Sequence, residues 1–193
     1  MNKDRILEIS RKLGLSHIGS CISILGILEE IYAKKKPEDK VILDNGHASL
    51  ANYVVLESLG GKNAEEMFHK HGVHANRDIE NGIFASNGSL GHNLGISIGF
   101  AIANPDKTIH VVVSDGSMME GSNWEALRIR QKLQLKNLKI YTNFNGFSAL
   151  APINGIDLMF KMEAFSLGEN DIQYHFTENG LGENKVDNHY TIL

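Results

Sequence analysis

The sequence predicts an α/β fold, a doubly wound and mainly parallel sheet flanked by helices. Three observations predict it. Short, largely β-branched apolar runs recur at Val41–Leu43, Ile109–Val113 and Leu138–Thr142, stretches of helical periodicity separate them, and turns rich in Gly, Asp or Asn follow them. Strands that alternate with helices favour parallel pairing through right-handed crossovers, and a nearly continuously apolar run such as Ile109–Val113 suits a strand covered on both faces.

Along the chain, Ile6, Ile9 and Leu13, and then Leu25, Leu28, Ile31 and Tyr32, keep helical spacing, so two amphipathic helices flank the connection Ser16–Ser20. Lys34–Lys36 followed by Pro37 closes the second helix. Val41–Leu43 leads into the turn Asp44-Asn45-Gly46-His47, and a helix from Ala48 to Leu59 stops at Gly60-Gly61. Phe68–Phe84 is polar and reads as a long ordered loop or short-helix segment, a length more often functional than idle in a compact domain. Gly88–Asn104 reads as a helix whose Gly91, Gly95 and Gly99 share one face and let another backbone approach, with Pro105 ending it. Ser122 and Glu125 form a capping-box pattern, so the next helix is expected to start there and run to about Leu135. Beyond the strand at Leu138–Thr142 one further strand is expected, at Ile172–Phe176.

A chain of 193 residues with 42% hydrophobic and 22% charged residues matches an ordinary globular domain, and one domain over 1–193 is the simplest organisation. The net charge of −4, without basic blocks or zinc-finger spacing, argues against a nucleic-acid partner. The single Cys21 cannot form an internal disulfide, reads as a buried small hydrophobe, and fits a cytoplasmic location. The N-terminus lacks the apolar core of a signal peptide, and the longest apolar stretch, Leu94–Ala103, is about half of what a membrane-spanning helix needs.

The chemistry concentrates between Val111 and Gly146. In a wound parallel sheet, ligands sit at the carboxyl ends of the strands, and Asp115 and Asn145 each follow such an end. A hard cation such as Mg²⁺ takes oxygen ligands, and one carboxylate, one amide oxygen and one backbone carbonyl suffice when phosphates complete the shell. Gly116 lets a diphosphate near the backbone, and the helix opening at about Ser122 offers unpaired N–H groups to it. Asn87-Gly88-Ser89-Leu90-Gly91 is a second glycine-rich turn. Each turn taken singly is equally well an ordinary βα connection.

Together the motifs resemble those of the transketolase family. Ser114-Asp115-Gly116 with Asn145, 30 residues beyond Asp115, resembles the thiamine diphosphate signature that opens with Gly-Asp-Gly and closes with Asn. Glu120-Gly121, Trp124-Glu125-Ala126, Gly88-Ser89-Leu90-Gly91, Asn45-Gly46-His47-Ala48 and His17-Ile18-Gly19-Ser20 match that family in order, over residues from about 5 to 150. The resemblance implies the diphosphate-binding (PP-type) domain of the thiamine diphosphate-binding fold. It implies that Asp115, Asn145 and the carbonyl of Phe147 hold Mg²⁺ or Ca²⁺, and that Gly88, Leu90, Gly116, Ser117 and Glu120, with Asn145, adjoin the cofactor. His17, His47 and His74 would line the channel above the thiazolium as catalytic histidines, His47 and His74 also touching the cofactor. His69, His71, His92, His110 and His175 read as structural or surface histidines, and His189 resembles a histidine at the site's entrance.

The chain also departs from the family. Ser114 stands for the first Gly of the signature, Ser16 for the Gly before the early His, and Phe84 where a Glu is common. Against that family the segment from about 150 reads as a shortened one, and no pyrimidine-binding domain is expected within the 193 residues. The resemblance therefore implies a separate pyrimidine-binding subunit that supplies the catalytic Glu, in a heterotetramer with two copies of each chain or around a homodimer core. The implied reaction is transfer of a two-carbon ketol unit between phosphorylated or activated sugars. The alternatives are a 1-deoxyxylulose-5-phosphate-synthase-like or 2-oxo acid decarboxylase subunit, and a non-catalytic assembly subunit.

Overall fold

Four strands, β1 (Lys40–Leu43), β2 (Ile109–Ser114), β3 (Leu138–Phe144) and β4 (Ile172–Phe176), pair in parallel in the order β1-β2-β3-β4. This computed structural model describes residues 1–148, 151–178 and 192. Every residue of β2 is buried, and its side chains alternate between two cores. Val112, with Tyr141 of β3, joins one core with residues of α1 (Asn2–Leu13), α2 (Ile18–Lys34), α3 (Ser49–Ser58) and α4 (Ala64–His71). Val111 and Val113 join the other with α5 (Asn93–Ala103), α6 (Gly121–Leu133) and α7 (Gly155–Glu163). Helices thus cover both faces, as expected, although the strand order never reverses among the described residues. The N-terminal helices and the α3–α4 pair supply the second layer.

Parallel pairing sets all carboxyl ends on one edge. Ser114 lies in register with Asn143, and Leu43 with Val112, so the turns after β1, β2 and β3 leave the sheet side by side. At the opposite edge Arg130, with no exposure, donates to the Leu138 carbonyl at 3.2 Å and the Phe165 carbonyl at 3.4 Å. Its third contact is Asp171 Oδ2 at 2.7 Å, which ties α6 to the start of β4.

Several sequence expectations need correction. The stretch Gly88–Asn104 is helical only from Asn93, because Gly88 (φ 147°) and Gly91 (φ 85°) adopt backbone conformations outside a helix. Gly95 and Gly99 stand open, with nothing within 4 Å of where a Cβ would sit, so among the described residues they bring no other backbone close. The capping box does not form: Ser122 Oγ donates to the Gly91 carbonyl at 2.8 Å, Glu125 pairs with Arg128, and α6 has Glu120 as its cap residue with no side-chain cap bond. Gln134 in the left-handed region (φ 53°) ends α6 at Leu133.

Two helices escaped the sequence pattern, and both carry an asparagine cap. Asn63 Oδ1 accepts from Glu65 N (3.0 Å) and Glu66 N (3.2 Å) at the start of α4, and Asn154 Oδ1 accepts from Ile156 N (3.1 Å) and Asp157 N (3.2 Å) at the start of α7. The expected loop Phe68–Phe84 is therefore helical to His71 and then an ordered turn. Asp78 fixes that turn by backbone bonds to Ile83 in both directions and by its carboxylate, which accepts from Lys70 and Asn81 and meets His71. Lys70 leads these contacts in holding the Asp78 carboxyl well below the usual range. Among the described residues no helix is long and apolar enough to cross a membrane.

Candidate functional site

Asp115 follows β2 directly and is 1% exposed. Its Oδ2 accepts from Gly146 N at 2.7 Å and Phe147 N at 3.1 Å, and its Oδ1 from Gly116 N at 3.1 Å. Asn145 Oδ1 accepts from the same Phe147 N–H at 3.1 Å. The two oxygen-bearing side chains that the sequence singled out therefore converge on one amide, across adjacent parallel strands. Burial raises the Asp115 carboxyl to about 6, against the pull of the Gly146, Gly116 and Phe147 amides. Among the described residues no Lys, Arg or His forms an ion pair with it.

Gly116 lies in the α region (φ −58°), and a Cβ there would make only ordinary contacts: 3.6 Å to Leu90 Cδ1, 3.7 Å to Ser114 Oγ and 3.9 Å to Ser148 Cβ. Neither backbone conformation nor crowding from the described residues requires glycine, whereas a group lying on the backbone would. Those contacts also bring Leu90 beside Gly116, as the two-turn reading expects. No group of three His, Cys, Asp or Glu residues among the described residues could hold a metal. A cation here would have one carboxylate, amide and carbonyl oxygens, and ligands from outside the protein. That donor set, with a buried carboxylate held by amides and by no cation of the described residues, fits a hard divalent ion bound with a diphosphate.

The turn 88–91 is fixed from below by Asp44, which the sequence showed only as a turn residue. Its Oδ2 accepts from Gly91 N at 2.9 Å and its Oδ1 from Asn93 N at 2.7 Å. Ser117 is fully buried; its N–H and Oγ engage Ser114 Oγ, each at 3.1 Å, so the serine at the signature's first position braces the turn. Glu120 is exposed and caps α6.

The histidines fall into two groups. His17 adopts the left-handed region (φ 64°), which a non-glycine residue occupies only under constraint, and its ring meets that of His47 edge to face at 5.5 Å. His74 lies against Gly88, whose Cβ would stand 3.5 Å from the imidazole Cγ. Asn87, another residue whose role was not legible in the sequence, joins their loops. Its Oδ1 accepts from Ala75 N at 2.7 Å, its Nδ2 donates to Ser49 Oγ at 3.0 Å, and it packs so closely on Gly46 that a Cβ there would stand 2.4 Å from its oxygen. His71, His110 and His175 serve packing instead: His71 binds Asp78, His110 Nδ1 meets Tyr141 Oη at 3.0 Å, and His175 stacks on Tyr141. His189 lies outside the described residues. Phe84, in place of the family's Glu, packs on the α5–α7 core under the Lys40 ammonium, 4.5 Å from its ring centre.

A family model described as 1-deoxy-D-xylulose-5-phosphate synthase matches residues 3–180. The chain is similar to one of the subunits of the apulose-4-phosphate transketolase of Phocaeicola vulgatus, 30% identical over 157 residues that cover 71% of this chain and 56% of that protein. It is similar also to a 6-deoxy-6-sulfo-D-fructose transketolase subunit from a Clostridium species, 29% identical over 159 residues covering 72% and 58%. The chain thus spans little more than half the length of these relatives. Among solved structures the transketolase of Leishmania mexicana superposes with a TM-score of 0.72 over 85% of this chain and 30% of that one, at 22% identity, a likeness of fold.

Proposed function

The chain belongs to the 1-deoxy-D-xylulose-5-phosphate synthase family, among transketolase-like proteins, and from that premise we propose that it is the diphosphate- and metal-binding subunit of a thiamine diphosphate-dependent transketolase-like enzyme. The enzyme would transfer a two-carbon ketol unit between phosphorylated or otherwise activated sugars. The observation that carries the proposal is the convergence of Asp115 and Asn145 on the Phe147 amide beside Gly116. In it, Asp115, Asn145 Oδ1 and the Phe147 carbonyl hold Mg²⁺ or Ca²⁺, while Gly88, Leu90, Gly116, Ser117 and Glu120 border the cofactor.

Thiamine diphosphate, when bound, supplies the nucleophilic carbon that makes and breaks the carbon–carbon bond. This chain's residues do the rest. His17, His47 and His74 donate hydrogen bonds to the sugar's hydroxyl and carbonyl oxygens, and imidazoles can relay protons there near neutral pH. The strained backbone of His17 fixes its ring against His47, so the pair is set before a sugar arrives.

The names of two relatives, each a transketolase subunit, support a separate partner that brings the pyrimidine-binding half and its Glu, in a heterotetramer or around a homodimer core. The description of the matching family model favours a second reading, synthase-like chemistry on a 2-oxo acid. One assay separates them: with the partner subunit, thiamine diphosphate and Mg²⁺, xylulose 5-phosphate and an aldose acceptor should be turned over, and pyruvate should not. Turnover of pyruvate alone would establish the second reading. No turnover of either, with the cofactor bound, would leave an assembly subunit. The chain without its partner should transfer no ketol.

A further inference from the structure

The turn that carries Gly88 and Leu90 and the turn that carries Gly116 and Glu120 belong to different connections of the sheet. A ligand gripped by both requires their spacing to hold within about 0.5 Å. One side chain spans them. Asp44, with no exposure at the end of β1, receives Gly91 N from one turn and Asn93 N from the start of α5 behind it, and Asn123 Nδ2, at 3.1 Å, from the first turn of α6, which follows the other. The same Asn123 amide donates to the Ser117 carbonyl at 3.0 Å, and Ser122 Oγ closes the ring onto Gly91. Gly91 completes the lock: at φ 85° a Cβ would stand 2.6 Å from Glu120 Cβ and from Ser122 Oγ, so the turns touch where no side chain fits.

A buried carboxylate is costly unless its lone pairs are filled. Among the described residues no cation pairs with Asp44; three N–H donors, from the first turn and from the helices that follow the two turns, fill it instead. A neutral amide has a single acceptor oxygen and would turn its NH2 toward at least one of those donors, the Asn93 N–H when its oxygen takes the Oδ2 place. We propose that Asp44 is a positioning residue that sets the distance between the two glycine-rich turns and so the fit of the cofactor's diphosphate. This inference rests on the proposed function and adds a residue to it.

The test compares thiamine diphosphate with thiamine monophosphate, each titrated with Mg²⁺ into the full chain, alone and with its partner subunit. The unaltered chain should prefer the diphosphate. In Asp44→Asn, affinity for the diphosphate should fall about tenfold and for the monophosphate less than about twofold, since only the former bridges both turns. A general loosening would lower both alike. Ser122→Ala keeps the buried carboxylate, removes the second tie, and should shift the same ratio about threefold, which serves should Asp44→Asn not fold. Parallel losses, or none, in the variants that fold would overturn the positioning role. An unaltered chain that binds neither compound would overturn the proposed function itself, and this inference with it.

Discussion

Two buried carboxylates stand at opposite edges of the sheet, and the chain treats them differently. Asp171, at the start of β4, pairs with the fully buried Arg130 and also accepts from the Leu167 and Ser166 donors. Burial alone would raise its carboxyl, but those contacts outweigh it and hold the group below its usual range. Asp115, at the end of β2, has only amide donors, and burial raises it to about 6. One charge is balanced by the protein. The other meets no cation among the described residues, and in the proposed function a bound metal ion supplies it.

The contrast can be broken first at the closed end. Arg130→Ala strands a buried carboxylate and should cost about 3–5 kcal/mol of stability in chemical denaturation, while the surviving folded fraction keeps its affinity for thiamine diphosphate and Mg²⁺. At the open end Asp115→Ala should do the reverse: metal-dependent cofactor binding should drop at least about 100-fold by calorimetry, with a smaller loss of stability from the freed 145–147 amides.

The titration of the two groups runs in opposite senses. Because Asp115 takes up protons near pH 6 when folded and near 3.8 when unfolded, its contribution is largest in acid and is lost as pH rises through about 6, a change of about 3 kcal/mol. Asp171, held below its unfolded value, contributes above that value and loses the contribution as pH falls. The added thermal stability from Mg²⁺ with thiamine diphosphate should therefore be larger at pH 7.5 than at pH 5, and Asp115→Ala should abolish that difference. A ligand-induced shift equal at both pH values would contradict the Asp115 assignment.

Smaller effects sharpen the picture. Asn87→Ala frees Ala75 N and Ser49 and should cost about 1–2 kcal/mol, with a lower kcat because His47 and His74 lose their common brace. Glu125→Ala breaks only the exposed pair with Arg128 and should leave the denaturation midpoint essentially unchanged; a clear fall in the midpoint would restore the capping box that the geometry denies.

What could be read from the sequence was what depends on near neighbours. The strand Ile109–Val113 announced itself by its nearly continuous apolar run, and Asp115 with Asn145 by their places after strands. The asparagine caps of α4 and α7 were present as Asn63 and Asn154, but the polar residues beside Asn63 and the short apolar run beside Asn154 hid the helices. Gly91 was assigned to a helix because spacing alone cannot distinguish a glycine on a helix face from one locked by a distant turn. Asp44 and Asn87 act across 47 and 38 residues, on Gly91 and Ser49, and such partners emerge only when the sheet brings the turns together.

The chain's single tryptophan occupies a telling position. Trp124 Nε1 donates to the Met118 carbonyl at 2.9 Å, at the far end of the turn that starts at Gly116, and its ring lies 6.2 Å from that of Phe165. If the proposed cofactor tightens that turn on binding, the field at this indole changes with it, and its ultraviolet emission should report the event without an attached dye.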